Sequence, residues 1–281
     1  MEGKKETIFD RLVVSCQFKK HRGYEEFFSE HLLGFQLSGE THAVFPGGTA
    51  VISENTVILI RKNHLIRTTK YPSRAGEYKF ISINLDQEVL QQYAFENKIK
   101  IGARYKGSQR LFFEPDEFLK SYFISLEPYI NKKKEATPRL ADLKIREAIE
   151  LLLQANTDFA QILFDFSSPY KIDLEDFMKK NYMFNVTVEA FAQLTGRSLS
   201  VFKREFSKIF NMSPKKWLQE RRMQEAHYLI KYLAQKPTDF YLDLGFENLS
   251  HFYSSFKKKY GITTTDLRKE QDALAEVSNL T

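Results

Sequence analysis

In the first third of the chain, β-branched and aromatic positions gather in short runs: Leu12–Phe18, Leu32–Leu37, Thr41–Phe45, Ala50–Ile52, Val57–Ile60 and Tyr78–Leu85. Turn residues separate them at Ser38-Gly39, Pro46-Gly47-Gly48, Glu54-Asn55 and Pro72-Ser73. Runs this short and this closely punctuated predict strands of a small antiparallel barrel or sandwich. Near residue 86 the period lengthens. Phe118, Leu119, Tyr122, Phe123, Leu126, Tyr129 and Ile130 recur at three and four, the stripe of an amphipathic helix. The segment from Asn131 to Pro138 ends it, and its Lys132–Lys134 run reads as a solvated turn. A second helix is predicted from Arg139 to Ala155, with Leu140, Ile145, Ala148, Ile149 and Leu152 on its apolar side. This helical pair is expected to cap the barrel or to pair with a second copy.

Residues 156–180 mix Asp, Ser, Pro and aromatics around a Ser167-Ser168-Pro169 break. They read as an interdomain linker, with a helix possible over Asp173–Lys180. From Thr187 to Arg268 the pattern is helical almost throughout, and it repeats. Phe202, Phe206, Lys208, Phe210, Met212 and Ser213 match Phe252, Phe256, Lys258, Tyr260, Ile262 and Thr263 at an offset of 50. A glycine, Gly196 or Gly245, precedes each copy. Each copy therefore predicts a short helix, a glycine turn and a second helix. The paired phenylalanines four apart fall on one face as core anchors. The outward face then presents Ser200, Lys203, Arg204 and Lys208 in the first copy and Ser250, His251, Ser254 and Lys258 in the second. Hydroxyls and a guanidinium near the N-terminal half suit base edges in a major groove, and cations near the C-terminal end suit phosphates and the helix dipole. Between the copies, Ser213-Pro214 is a helix start, and apolar spacing holds to about Ala234. About 20 residues at roughly 1.5 Å each make a rod of about 30 Å, close to the roughly 34 Å turn of B-DNA.

Charge sharpens this reading. The 281 residues carry 42 Lys and Arg against 36 Asp and Glu, a formal excess of +6 that is too mild to name a partner. Its position is more informative: residues 181–270 hold 15 basic and 9 acidic residues, while residues 1–180 are nearly balanced. A hydrophobic content of 42% with 12 Gly and 8 Pro excludes collagen-like and wholly disordered classes. The single cysteine, Cys16, has no partner for an intrachain disulfide and reads as a small core residue. No leader-like N-terminus and no run of 18 apolar residues is seen, so a soluble cytoplasmic protein is expected.

Catalytic chemistry finds little support. His21, His31, His42 and His64 are scattered, and no two stand at i, i+2 on one strand as a metal cupin needs. Pro46-Gly47-Gly48 is too short for a phosphate loop, and no nucleophile elbow is present. No catalytic residue, metal or cofactor is assigned. Phe35, Phe45, Tyr78 and Phe80 are candidates to line a pocket, although core packing explains them equally well.

The residues from Val186 to Arg268 resemble the AraC/XylS family of transcription regulators. The resemblance rests on Ala192-Gln-Leu-Thr-Gly196, Phe202-Lys-Arg-Glu-Phe206, Met212-Ser-Pro214, Arg222, Ala226, Gly245-Phe246-Glu-Asn-Leu-Ser250-His-Phe252 and Phe256-Lys-Lys-Lys-Tyr260-Gly261. It implies that Ser200, Lys203 and Arg204, then Asn248, Ser250 and Ser254, contact bases of double-stranded DNA. Lys208, Lys215, Lys257 and Lys258 are expected on phosphates. The chain departs from the family pattern at Tyr241, Thr264, Asn211 and Ser254, which implies a weaker second reader. The front half, from His31-Leu-Leu-Gly through Thr56–Ile60 to His64, looks like half of a cupin-like barrel. With Lys171–Glu175 it looks closer to the branch of ExsA-type activators, where a partner protein controls activity.

The expectation is an α+β chain. Residues 1–155 form a β-rich, cupin-like sensor or dimerisation domain with a helical pair, 156–180 a linker, 181–270 an all-α double helix-turn-helix DNA-binding domain, and 271–281 a tail. It acts as a bacterial-type transcription regulator, controlled by a small-molecule effector or a regulatory protein. RNA polymerase is a partner by family resemblance, and a homodimer through Phe118–Ala155 is possible. The alternatives are a protein-interaction regulator with incidental DNA contact, or a cupin-type enzyme fused to a DNA-binding module.

Overall fold

The computed structural model describes residues 4–9, 11–100, 105, 107, 110–131, 137–167 and 171–269. The Ile130 side chain, the Lys132–Lys134 turn, Ser168-Pro169 and the 271–281 tail lie outside the described residues. The chain forms two units, Met1–Ser168 and Pro169–Thr281.

The first unit opens with nine strands: β1 Lys4–Phe9, β2 Leu12–Gln17, β3 His21–Phe28, β4 His31–Ser38, β5 Glu40–Phe45, β6 Gly48–Ile52, β7 Thr56–Ile60, β8 His64–Tyr71 and β9 Tyr78–Leu85. Helix α1 (Gln87–Glu96), strand β10 (Arg110–Phe113) and helices α2 (Glu117–Ser125), α3 (Glu127–Asn131), α4 (Pro138–Ala155) and α5 (Phe159–Leu163) follow. All strand pairs are antiparallel. They make a six-stranded sheet in the order β1-β2-β9-β4-β7-β10 and a four-stranded sheet in the order β3-β8-β5-β6.

Period-two alternation explains the layering. On β7, Ile58 and Ile60 join Leu32, Ala43, Phe45, Ile52 and Ile66 in a core drawn from both sheets. The intervening Val57 and Leu59 face the other way and pack with Leu33, Phe35, Ile81 and Ile83 against α1, α2, α4 and α5. The six-stranded sheet is therefore covered on both faces, which is why β7 reads as an unbroken apolar run. The expected helical pair does cap the sheet, through buried Leu119, Tyr122, Phe123, Ile145, Ala148, Ile149 and Leu152.

The expected linker, 156–180, is corrected by the structure. Its first apolar residues are not solvated: Phe159, Ile162, Leu163 and Phe164 enter the core of the first unit. Asp165 then pairs with Arg61 at 2.8 Å, with both side chains buried. The second unit begins before 181, because helix α6 (Leu174–Asn181) buries Leu174 and Met178 and sets Phe177 edge-on to Phe191. Asp173 caps α6 by accepting from the Asp176 N–H.

The rest of the second unit is helical: α7 Val188–Leu194, α8 Leu199–Phe210, α9 Pro214–Leu233, α10 Pro237–Phe240 and α11 Leu249–Tyr260. The repeat is real as structure. Phe202, Phe206, Phe252 and Phe256 are each fully buried. Asn211, at φ 52°, closes α8 in the left-handed conformation that asparagine tolerates. Helix α9 has 20 residues, as the spacing predicts. Trp217 near its start packs on Phe206 and Phe210, while Met223, Ala226 and Ile230 farther along pack with Phe252 and Phe256. The first helix of the second copy is reduced to four residues, followed by turns to Gly245.

Gly245 has φ +78°, and a Cβ there would lie 2.7 Å from the Met183 carbonyl oxygen and 2.9 Å from the Arg222 guanidinium carbon. Gly245→Ala should therefore destabilise the second unit by about 1–3 kcal/mol. Denaturant unfolding of the intact chain checks this, and an unchanged midpoint for the helical transition contradicts it.

Candidate nucleic-acid interface

Helix α8 starts at the Ser198 cap, and its buried phenylalanines leave Ser200, Lys203, Arg204, Ser207 and Lys208 exposed. The one acid on this helix, Glu205, is held from the flank by Arg197 at 2.8 Å and by Lys171 at 3.1 Å. Those two cations keep its carboxyl below the usual carboxylate range. Arg197 is itself anchored by the carbonyls of Ile172 and Thr195. The acid is thus neutralised without drawing on Lys203, Arg204 or Lys208, which leaves a net positive outward face.

Helix α11 repeats the frame with a different surface. Ser250, His251, Tyr253, Ser254, Lys257 and Lys258 are exposed. Lys259 turns back instead, pairing with the Glu220 carboxylate on α9. Two of the candidate readers are engaged by their own backbone. Asn248 is the N-cap, its Oδ1 accepting from the His251 N–H at 2.8 Å, and the Ser254 hydroxyl donates to the His251 carbonyl at 3.0 Å. Side-chain oxygens this close in sequence compete for backbone partners. Ser250 keeps its hydroxyl on the outward face. Lys215, exposed in the first turn of α9, stands outside both second helices. Tyr253 was not among the residues expected from sequence, although its spacing, one position before Ser254, puts it at the border of the same face.

Arg222 joins the two copies. From α9 it donates to the carbonyl oxygens of Tyr182 (2.9 Å), Phe184 (2.8 Å) and Gly245 (3.1 Å). Tyr260 donates to the Met223 carbonyl at 3.1 Å, a further tie between α11 and α9.

The first unit holds a cavity of about 120 Å³ between its sheets. Phe28, Leu32, Ile58, Ile66 and Phe80 supply apolar walls, and Glu26, Thr41, Lys70 and Tyr78 supply polar ones. The Lys70 ammonium donates to Ser15 at 2.7 Å, and the Tyr78 and Thr41 hydroxyls lie 2.7 Å apart. Of the four expected pocket aromatics, Tyr78 and Phe80 line this space; Phe45 belongs to the inter-sheet core, and Phe35 faces the helices, stacked on Phe123 at 4.9 Å. The histidines sit on four different strands. Burial, then Lys62 and Arg61, drives His31 down to about 3, and burial, then Arg110 and Arg61, drives His64 down to about 4. Both rings are neutral near pH 7. Among the described residues no group of three His, Cys, Asp or Glu side chains is arranged to hold a metal ion.

Two domain families match the chain in this same order. The ExsA N-terminal regulatory domain matches residues 31–164, and a helix-turn-helix domain matches residues 191–270. The chain belongs to the AraC/XylS family of transcription regulators. It is 29% identical over 147 residues to the HTH-type transcriptional regulator ExsA of Pseudomonas aeruginosa, covering 52% of this chain and 53% of that one. It is 30% identical over 131 residues to the thermoregulatory protein LcrF of Yersinia pestis, covering 46% and 48%. These matches span about half the length of each relative. Among solved structures, ToxT from Vibrio cholerae aligns over 95% of this chain and 98% of its own at 13% identity, with a TM-score of 0.42. The regulatory-domain match runs to residue 164, through α5, and agrees with a first unit that extends beyond 155.

The capping role of Asn248 has a direct test. Asn248→Ala should lower the stability of the second unit by about 1 kcal/mol, and Asn248→Ser should restore it, because serine caps as well as asparagine does. Thermal unfolding reads the difference; equal melting of the two variants contradicts the cap.

Proposed function

We propose that this AraC/XylS-family chain is a sequence-specific, double-stranded-DNA-binding transcription regulator whose first unit controls the activity of its second. The observation that carries this reading is the pair of helix-turn-helix copies. Each buries two phenylalanines, each turns a polar, cationic face outward, and the two are joined by a rod of about 30 Å. That length suits recognition helices α8 and α11 to successive major grooves, about 34 Å apart.

On this reading Ser200, Lys203 and Arg204 contact bases in one half-site, and Ser250 leads in the other, with Asn248 and Ser254 contributing whatever their backbone bonds leave. Lys208, Lys215, Lys257 and Lys258 neutralise phosphates and release counterions, which makes affinity fall with salt. The relatives bear the names of regulators, which supports regulation over catalysis. The protein works in the cytoplasm, where its DNA is, and addresses RNA polymerase as an activator; the name transcriptional activator borne by VirF of Yersinia enterocolitica supports this sign.

Control through the first unit fits a protein contact better than a large ligand. A cavity of about 120 Å³ is well below the roughly 300–1,000 Å³ of an ordinary ligand pocket. On the covering helices, by contrast, Phe95 is 85% exposed and Phe118 72% exposed, with Leu143 exposed between charged neighbours. We assign these exposed side chains of the covering helices to contact with a second copy of the chain. Light scattering at micromolar concentration should give twice the chain mass, and Phe118→Glu should halve it; a single-chain mass for the wild type removes the dimer.

Two substitutions divide reading from anchoring. Arg204→Ala should relax specificity at one base position by about 1–3 kcal/mol, read from selected binding sites. Lys258→Ala should weaken all sequences alike and reduce the salt slope by about one. An unchanged site profile for the first, or an unchanged slope for the second, removes that residue from its role.

A further inference from the structure

The offset of 50 that aligns the copies also shows how their charges differ. Lys203 and Arg204, in the N-terminal half of α8, correspond to the neutral Tyr253 and Ser254 of α11. The second recognition helix therefore lacks the cations that the first presents toward its N-terminal end. Cations appear instead beside it. Tyr253, 41% exposed, borders an open cleft of about 320 Å³ whose other walls are Lys236, Pro237 and Thr238 at the start of α10, and Thr264, Thr265, Arg268 and Lys269 after α11. At the aligned positions the first copy has Val186 for Lys236, buried Leu218 for Arg268 and Gln219 for Lys269. Lys236, Arg268 and Lys269 thus have no cationic counterparts at the aligned positions of the first copy.

Among the described residues nothing acidic lines it. Beside its walls in sequence, Asp239 accepts from the Thr238 hydroxyl at 3.0 Å, and Asp266 accepts from the Thr263 N–H and hydroxyl at 3.0 and 2.6 Å. Lys269 faces Asp266 electrostatically. Among the described residues Lys236 and Arg268 form no ion pair. Two such cations lining one polar cleft, together with a phenol and threonine hydroxyls, match the anionic oxygens of a phosphodiester.

We propose that this cleft grips the DNA backbone flanking the second half-site, so that Lys236 and Arg268 supply the phosphate contacts that the N-terminal half of α11 does not. The inference rests on the DNA-binding reading above and adds a division of labour to it. The first copy reads and grips mainly through its recognition helix; the second reads with neutral groups and adds its flank to the grip of Lys257 and Lys258.

The test uses the full chain and a duplex enriched from random sequence by binding to it, with the two half-sites located by footprinting. Its affinity is measured between 50 and 200 mM salt. Lys236→Ala/Arg268→Ala should lower the salt slope by about two, so that the loss of affinity across that range is about tenfold smaller than for the wild type. The base preferences of both half-sites should not change. A second arm needs no variant: neutral methylphosphonate linkages placed beside the second half-site should lower the wild-type slope equally and leave that of the double variant alone. A variant with the wild-type slope overturns the cleft, as do neutral linkages that weaken both proteins alike. If the wild type itself binds no duplex in a salt-dependent way, the failure lies in the DNA-binding reading and takes the cleft with it.

Discussion

The second unit depends on the way one guanidinium is spent. Arg222 carries five donors in a rigid planar fork, and three of its hydrogen bonds end on backbone carbonyls of Tyr182, Phe184 and Gly245. Those carbonyls belong to the segment ahead of the first helix-turn-helix and to the turn inside the second, while the arginine belongs to the helix between them. A rod of 20 residues fixes a distance but not a rotation. Each residue along an α-helix turns the side-chain direction by about 100°, so one residue of slippage would swing the second copy well off the face used by the first. Arg222 ties rod, entry and turn together, and Gly245 is required because any side chain would strike both the guanidinium and the Met183 carbonyl.

Charge is arranged around this frame on the same logic. Acids close to the recognition helices are matched from inside the unit: Glu205 by Arg197 and Lys171, Glu220 by Lys259. On α8 and α11 themselves, the exposed side chains that remain are cationic or neutral. Surface ion pairs such as Lys171–Glu205 add little stability, typically below about 1 kcal/mol each, so their larger consequence is the sign of the surface they leave behind. The first unit is nearly balanced in charge and places its buried cations differently, as in the Arg61–Asp165 pair that holds the last described stretch of that unit against its sheet.

Much of this was legible in the sequence, and the exceptions share a cause. The four phenylalanines, the rod with its Ser213-Pro214 start, and the left-handed Asn211 follow from spacing and local chemistry, which the structure obeys. Strands β3 and β8 were not legible: His21-Arg-Gly-Tyr-Glu-Glu-Phe-Phe28 and His64-Leu-Ile-Arg-Thr-Thr-Lys-Tyr71 are largely polar, and their extended form comes from pairing with each other across distant sequence. Helix α5 was hidden inside a linker reading because a five-residue helix carries too few turns to set up a period, whereas α6 falls where a helix over Asp173–Lys180 was expected. Among the candidate readers, exposure was predictable from the buried faces. The capture of Asn248 and Ser254 by the His251 backbone was not, because it depends on rotamers rather than on which face a residue occupies.

The two copies also show that fold and recognition occupy separable positions within a 12-residue helix. The fold needs Phe202 and Phe206, or Phe252 and Phe256, together with an aromatic at 210 or 260 and a residue able to close the helix in the left-handed region, Asn211 or Gly261. None of these contributes to the outward face. The remaining positions can therefore change from Lys203-Arg204 to Tyr253-Ser254 without disturbing the core. A repeat kept by packing can thus carry two unlike surfaces, and an asymmetric binding site on DNA is the natural counterpart of such a pair.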